Sequence, residues 1–81
     1  MSQANQPLEL DATELRCPLP IIKLAKFAKD LAPGTVIEVA VTDPAAQFDI
    51  PAWARMRGHT SELTSTPAPG TPRFTVTVTL A

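Results

Sequence analysis

Apolar and polar residues alternate along several stretches of the chain, most clearly near its end. Residues 74–80 read FTVTVTL, with apolar side chains at even positions and threonines at odd ones. Successive side chains of a strand point to opposite faces of the sheet, so this stretch predicts a strand with one buried and one open face. The open face would carry Thr75, Thr77 and Thr79. Alternation over residues 8–11 predicts a first strand, β-branched residues over 36–42 predict a central strand, and residues 60–66 are a weaker candidate.

Two segments between these strands carry apolar residues at helical spacing. The first helix would start after Cys17, end before Pro33-Gly34 and bury one stripe: Ile21, Leu24, Ala25, Ala28 and Leu31. The second helix is predicted over residues 48–57, with Asp49 as its N-cap and Pro51 in its first turn. Its core face would hold Ile50, Trp53 and Ala54, and Gly58 would end it.

The element order is therefore β-α-β-α-β-β, which predicts an α/β (α+β) two-layer sandwich. A helical crossover makes the first two strands parallel. The last two strands should form an antiparallel hairpin around a proline-rich turn at residues 67–72. We expect a four-stranded mixed sheet with both helices on one face. Residues 1–7 are predicted to be a disordered lead-in, and residues 8–81 a single domain.

Composition excludes several classes of protein. The 81 residues carry seven basic and eight acidic side chains, so nothing predicts direct binding to nucleic acid or to an anionic membrane. No apolar run approaches the roughly 20 residues that span a bilayer. One cysteine and one histidine, His59, predict neither a disulfide nor a metal cluster. We expect a monomer in the cytoplasm, without cofactors.

The candidate for chemistry is Cys17, because it directly precedes Pro18 at the start of the first helix. Proline favours the first helical position, which would place Cys17 at or beside the N-cap. Free backbone N–H groups, from Leu19 and Ile21, and the helix dipole would then stabilise a thiolate and lower its pKa. Arg16 could add positive charge. The alternative is that Cys17 is a buried small hydrophobic residue.

Several short motifs together resemble one family. Residues 10–20 read LDATELRCPLP, and they are followed by TDP at 42–44, DIP at 49–51 and GH at 58–59. The Cys-Pro-x-Pro motif, formed here by Cys17, Pro18 and Pro20, is the hallmark of the TusA/SirA family of small sulfur-transfer proteins. The order and spacing of the blocks are also similar, so the resemblance extends over residues 8–80.

The resemblance implies a function as well as a fold. Cys17 would accept sulfane sulfur as a persulfide from a donor such as a cysteine desulfurase or a rhodanese. A DsrE-like protein or another acceptor would then take the sulfur, as in 2-thiouridine synthesis in tRNA or in sulfur oxidation. The chain would thus be a sulfurtransferase of the carrier type. It departs from the family at Glu14, where glycine is usual, and this leaves open a different loop conformation.

Two other functions remain open from the residues alone. The chain could be a non-enzymatic interaction module, for which Cys17 would be dispensable. It could also be a redox sensor, for which one thiol of low pKa suffices. Outside the thiol, His59 is expected at the surface or at a helix end, Asp43 in a turn, and Trp53 in the core with its indole N–H bonded.

Overall fold

Four strands and two helices follow one another in the predicted order. The computed structural model describes residues 6–65, 70 and 72–81. The elements are β1 (Leu8–Ala12), α1 (Leu19–Ala28), β2 (Val36–Val41), α2 (Ala46–Met56), β3 (Thr60–Ser65) and β4 (Phe74–Thr79). Most of the predicted lead-in and of the predicted turn at 67–72 lies outside the described residues. Neither α1 nor α2 is long and apolar enough to cross a bilayer.

The strands form one mixed sheet in the order β1-β2-β4-β3. β1 and β2 are parallel, and β4 is antiparallel to both of its neighbours. Apolar residues stand opposite one another across the strands: Leu10 is paired with Val39, and Val39 with Val76. Because this register keeps the apolar strand residues on one face, the sheet has an apolar face that the helices can cover.

Both helices pack on that apolar face. Leu24 of α1 and Ile50 of α2 are fully buried in the same cluster as the apolar strand residues, and Trp53 is 8% exposed there. The predicted stripe of α1 packs against this cluster. The threonines at positions 75, 77 and 79 are half-buried on the other face of the sheet. The predicted two-layer arrangement is confirmed.

The start of α2 differs from the prediction. The helix begins at Ala46, and its N-cap position is Ala45, whose own side chain makes no capping bond. Asp49 lies in the first turn and is not the cap. Asp43 turns the chain into the helix earlier, because its carbonyl accepts the N–H of Ala46 at 2.9 Å and its Oδ1 accepts that of Ala45 at 3.0 Å.

The earlier start also moves Pro51, which was predicted in the first turn. Pro51 lies inside α2, where its missing N–H removes one bond from the helical ladder. The end of the helix agrees with the prediction. Gly58 has a φ of +81°, its N–H donates to the Arg55 carbonyl at 3.1 Å, and the His59 N–H donates to the Ala54 carbonyl at 2.8 Å. This pair of bonds is a Schellman motif, which glycine fits best.

The topology sets the direction of both helices. α1 connects the parallel strands β1 and β2, so it runs opposite to both. α2 leaves the end of β2 and also runs back along the sheet, beside α1. The N-termini of α1 and α2 therefore meet at the edge where β1 and β2 end. The two C-termini meet at the opposite edge.

We predict that core packing, more than helix propensity, stabilises α1. Leu24→Ala should lower the free energy of unfolding by about 2–5 kcal/mol, because the Leu24 side chain is fully buried. Ile22→Ala is the matched control on the same helix: Ile22 is 48% exposed, and its truncation should cost less than about 1 kcal/mol. Urea unfolding measures both. Equal losses in the two variants would contradict the described burial.

Candidate functional site

Cys17 lies at the end of the sheet where β1 and β2 terminate and both helices begin. Its thiol is free and half-buried, and it packs partly against the core. The N-cap position of α1 is Pro18, so Cys17 lies one residue before it, and Pro20 occupies the first turn. The peptide bond between Cys17 and Pro18 is cis. Arg16 and Pro18 are exposed, whereas Pro20 is buried.

The Asp43 carboxylate holds this loop in place. Its Oδ2 accepts the backbone N–H of Cys17 at 2.8 Å, while its Oδ1 accepts the N–H of Ala45. One side chain thus ties the thiol loop to the start of α2. Both N–H groups, together with the charge of Arg16, hold the pKa of Asp43 below its usual value. Sequence reasoning assigned Asp43 only to a turn; the signal it missed was an aspartate two residues after the end of β2, at the end of the sheet that also carries the cysteine.

The prediction of an acidic thiol is wrong. Burial, a hydrogen bond to Asp49 and the negative charges of Asp49 and Asp43 raise the pKa of Cys17 to about 12. The expected N–H donors are already bonded, since Leu19 N–H donates to the Arg16 carbonyl and Ile21 N–H to the Pro18 carbonyl. Without free amides, the sulfur is left with two carboxylates, which disfavour the thiolate.

Asp49 therefore acts on the pKa of the thiol instead of capping a helix. It reaches Cys17 because α2 starts early and lies beside α1 with the same polarity. The influence of the Asp49 carboxylate on the Cys17 pKa shows that the fold brings together two of the residues that the sequence singled out. The contact depends on the packing of two helices, so the residue pattern alone could not have predicted it.

Glu14 keeps a glycine-like backbone. Its φ is +68°, the left-handed region that favours glycine, and its N–H donates to Thr42 Oγ1 at 2.9 Å. The loop conformation is therefore one that glycine would also adopt. The Glu14 side chain is exposed, and its charge is not among those that raise the pKa of Cys17.

Apolar side chains are exposed around the same edge, where sequence reasoning had singled out none. Leu19 and Ile22 of α1 are 50% and 48% exposed, and Phe48 in the first turn of α2 is 70% exposed. The signal in the sequence was weak: Phe48 is an apolar residue that lies off the buried stripe of its helix. An open cavity of about 480 Å³ adjoins the thiol loop and is lined by Glu14, Leu15, Arg16, Thr42, Asp43 and Pro44.

His59 lies at the opposite end of the molecule from the thiol. Its Nδ1 accepts the backbone N–H of Ala81 at 2.9 Å, and its ring centroid is 5.2 Å from that of Trp53. It therefore takes no part in a site at Cys17. The expected partner of the Trp53 indole N–H is absent among the described residues. Nor do those residues contain a group of side chains that could hold a metal ion.

The comparisons with known proteins agree with the resemblance. Residues 8–78 match the family model described as sulfurtransferase TusA, so the chain belongs to the TusA sulfurtransferase family. A putative sulfur carrier protein of Bacillus subtilis, YrkF, is 48% identical over 50 residues, which are 62% of this chain and 27% of YrkF. The sulfur carrier protein TusA of Pseudomonas aeruginosa (strain PAO1) is 46% identical over 50 residues, 62% of this chain and 63% of that protein. The match thus covers less than two thirds of either relative.

We predict that Cys17 ionises at higher pH than a free cysteine. The rate of alkylation by iodoacetamide should still be rising well beyond about pH 9, whereas a free cysteine has a pKa of about 8.5. Asp49→Asn removes a negative charge beside the sulfur and should lower the midpoint. Glu14→Gln is the matched control and should leave it unchanged. A wild-type midpoint at or below that of free cysteine would restore the N-cap interpretation.

Proposed function

We propose that this protein is a sulfur carrier that accepts sulfane sulfur as a persulfide on Cys17 and relays it to an acceptor protein. The observation that supports this most is the position of the only cysteine: a free, half-buried thiol in the Cys-Pro-x-Pro loop of a TusA-family chain. The activity is a sulfurtransferase activity of the carrier type, and residues 8–81 form the carrier domain.

Sulfur transfer between donor, carrier and acceptor involves no net oxidation or reduction. The Cys17 sulfur, losing its proton, attacks the terminal sulfur of a donor persulfide, and a new S–S bond forms as the S–S bond of the donor breaks. The donor cysteine leaves as a thiolate and takes up a proton, so Cys17 ends as a persulfide. A thiolate of the acceptor repeats the attack on the terminal sulfur and restores Cys17. No second cysteine in this chain is needed.

The raised pKa gives the neighbouring carboxylates a role in this cycle. The resting sulfur is a thiol, so its proton must leave before or during the attack. The Asp49 carboxylate is close enough to the Cys17 thiol to raise its pKa, and we propose that it accepts that proton and returns it. Asp43 holds the backbone of Cys17 in position, and the flanking prolines restrict it further. Arg16 offsets part of the negative charge through Asp43.

The proposed partners follow from this chemistry. A cysteine desulfurase or rhodanese would load Cys17, and a DsrE-like protein or similar acceptor would unload it, either for tRNA thiolation or for sulfur oxidation. We propose that the carrier works as a monomer in the reducing cytoplasm and meets RNA only through its partners. A redox-sensor role is less consistent with the site, because a sensor needs a thiol of low pKa and Cys17 has a raised one.

We predict that Cys17→Ser abolishes sulfur loading. After incubation with a cysteine desulfurase and cysteine, the wild type should gain one sulfur, about 32 Da, and the variant none. Thermal stability should change little, since the half-buried thiol contributes less packing than a core residue.

The matched control adds Ser65→Cys to the Cys17→Ser variant, which moves the single thiol to an exposed position of β3. This protein should also stay unloaded, because its thiol lacks the loop and the carboxylates. Loading at position 65 equal to wild type would show that the site has no role. Intact cellular function in Cys17→Ala would favour the interaction module.

The exposed apolar residues around the thiol provide a docking surface for these partners. We define the apolar rim as Leu19, Ile22 and Phe48, which lie in the first turns of α1 and α2, at the same end of the molecule as Cys17. Each partner must bring a reactive sulfur to the same thiol, so both must cover this rim. Their binding should therefore be mutually exclusive, and a stable ternary complex of donor, carrier and acceptor would contradict a shared rim.

We predict that Phe48→Glu weakens sulfur transfer about tenfold in kcat/KM, because it places a charge in the apolar rim. Met56→Glu is the matched control: Met56 is the last residue of α2 and is 82% exposed, but it lies at the end of the helix away from the thiol. Single-turnover transfer from a loaded desulfurase measures both variants. A loss in Met56→Glu as large as in Phe48→Glu would exclude the rim as the docking surface.

A further inference from the structure

A second cavity lies at the end of the molecule away from Cys17. Its volume is about 480 Å³, within the range of roughly 300–1,000 Å³ that ligand sites occupy. Three positively charged side chains line it, Lys26, Lys29 and Arg57, together with the ring of His59. Apolar side chains complete its lining: Ala25, Ala28, Leu31, Leu80 and Ala81. We call this the basic cavity.

The fold places these residues together. Because α1 and α2 run in the same direction, both C-terminal ends reach this edge of the molecule. Lys26 and Lys29 are three residues apart at the end of α1, a spacing that puts them on the same side. Arg57 and His59 belong to the Schellman turn that ends α2, and the bond from Ala81 N–H to Nδ1 fixes the His59 ring.

The lining of the basic cavity differs in charge from the molecule as a whole. No acidic side chain lines the basic cavity, although the chain as a whole has a net charge of −1. Acidic residues collect on the open face of the sheet, where Glu9 is paired with Glu38, and Glu38 and Glu62 both flank Thr77. Lysine near a helix C-terminus also complements the helix dipole. The helix dipole can account for a cation near the C-terminus of each helix. It does not account for a cavity in which cations from both helices surround apolar side chains.

We propose that the basic cavity docks an acidic segment of a partner protein. The carboxylates of the segment pair with Lys26, Lys29 and Arg57, and an apolar side chain rests on the lining contributed by Leu31 and Leu80. Neutral His59 has its donor at Nε2, since Nδ1 accepts the Ala81 N–H. An isolated phosphate would leave the apolar lining unused. A nucleic acid needs a basic stripe that continues beyond one cavity, and the open face of the sheet is acidic.

The position of the basic cavity separates it from the thiol. A helix of ten residues is about 15 Å long, so the segment would bind roughly that far from Cys17. A partner held at this site leaves the apolar rim free. The basic cavity therefore supplies an attachment point that does not compete with contacts around the thiol, and it does not depend on the proposed sulfur transfer.

The test uses the full chain and three fluorescein-labelled probes. The first is a peptide of alternating glutamate and leucine pairs, the second is the same peptide with lysine in place of glutamate, and the third is a short single-stranded RNA. Fluorescence polarisation should show saturable binding of the acidic peptide alone. Excess inorganic phosphate should compete only as strongly as chloride of equal ionic strength, through screening. Chemical shifts of backbone amides should change around Leu31 and His59 and not around Phe48.

The matched variants reverse charges inside and outside the basic cavity. Lys29→Glu with Arg57→Glu should weaken peptide binding about tenfold or more, as expected when two exposed ion pairs become repulsive. Arg55→Glu is the control: it changes an exposed arginine in the last turn of α2 that does not line the cavity. Circular dichroism checks the fold of each variant. Sulfur loading of Cys17 in the double variant should equal that of the wild type.

Several outcomes would overturn the proposal. These are failure of the wild type to bind the acidic peptide, equal weakening in Arg55→Glu, or shift changes at Phe48 instead of Leu31. RNA binding as tight as peptide binding would identify a nucleic-acid surface instead. Specific competition by phosphate would identify a small-anion site. A failure of Cys17 to load would leave these results unaffected, so the two proposals can fail separately.

Discussion

The parallel pairing of β1 with β2 is the constraint on which the rest of the structure depends. Parallel strands need a crossover, and α1 supplies it, so the start of α1 must lie where β1 ends. The same edge receives the end of β2 and the start of α2. Cys17, Asp43 and Asp49 come from three separate parts of the chain, and this pairing is what brings them together. The basic cavity follows from the same constraint at the other end of the helices.

The chemistry of the site arises from a competition between backbone amides and carboxylates for one sulfur. A helix N-terminus ordinarily favours a thiolate. Here the first amides of α1 bond to the carbonyls of Arg16 and Pro18, and the sulfur is left facing acidic groups. The thiol therefore stays protonated at neutral pH. In the proposed carrier this state would protect the thiol from oxidation and stray alkylation between encounters, and contact with a partner would change the burial and charge around it.

The two sheet faces and the two ends of the helices divide the surface into regions of different character. The apolar rim surrounds the thiol, the basic cavity lies at the far end, and glutamates occupy the open face. The two proposals assign different partner contacts to two of these regions, the apolar rim and the basic cavity. Electrostatic complementarity would then orient each partner before the short-range contacts form.

The sequence by itself determined the element order, the two-layer fold, the buried stripes and the position of the only thiol at a helix start. These follow from local periodicity, from turn residues such as Gly58 and from the Cys-Pro-x-Pro motif, all of which act over a few residues. The tertiary structure alone decided that Asp43 binds the Cys17 backbone and that Asp49 lies close enough to raise the pKa of its thiol. The tertiary structure also decided that the pKa of the Cys17 thiol is raised and not lowered. The physical reason is that Asp43 and Asp49 act on Cys17 across more than twenty residues of chain, and only the fold brings these segments together. The start of α2 follows instead from bonds of Asp43 to Ala45 and Ala46, which are local but leave no mark in the apolar periodicity.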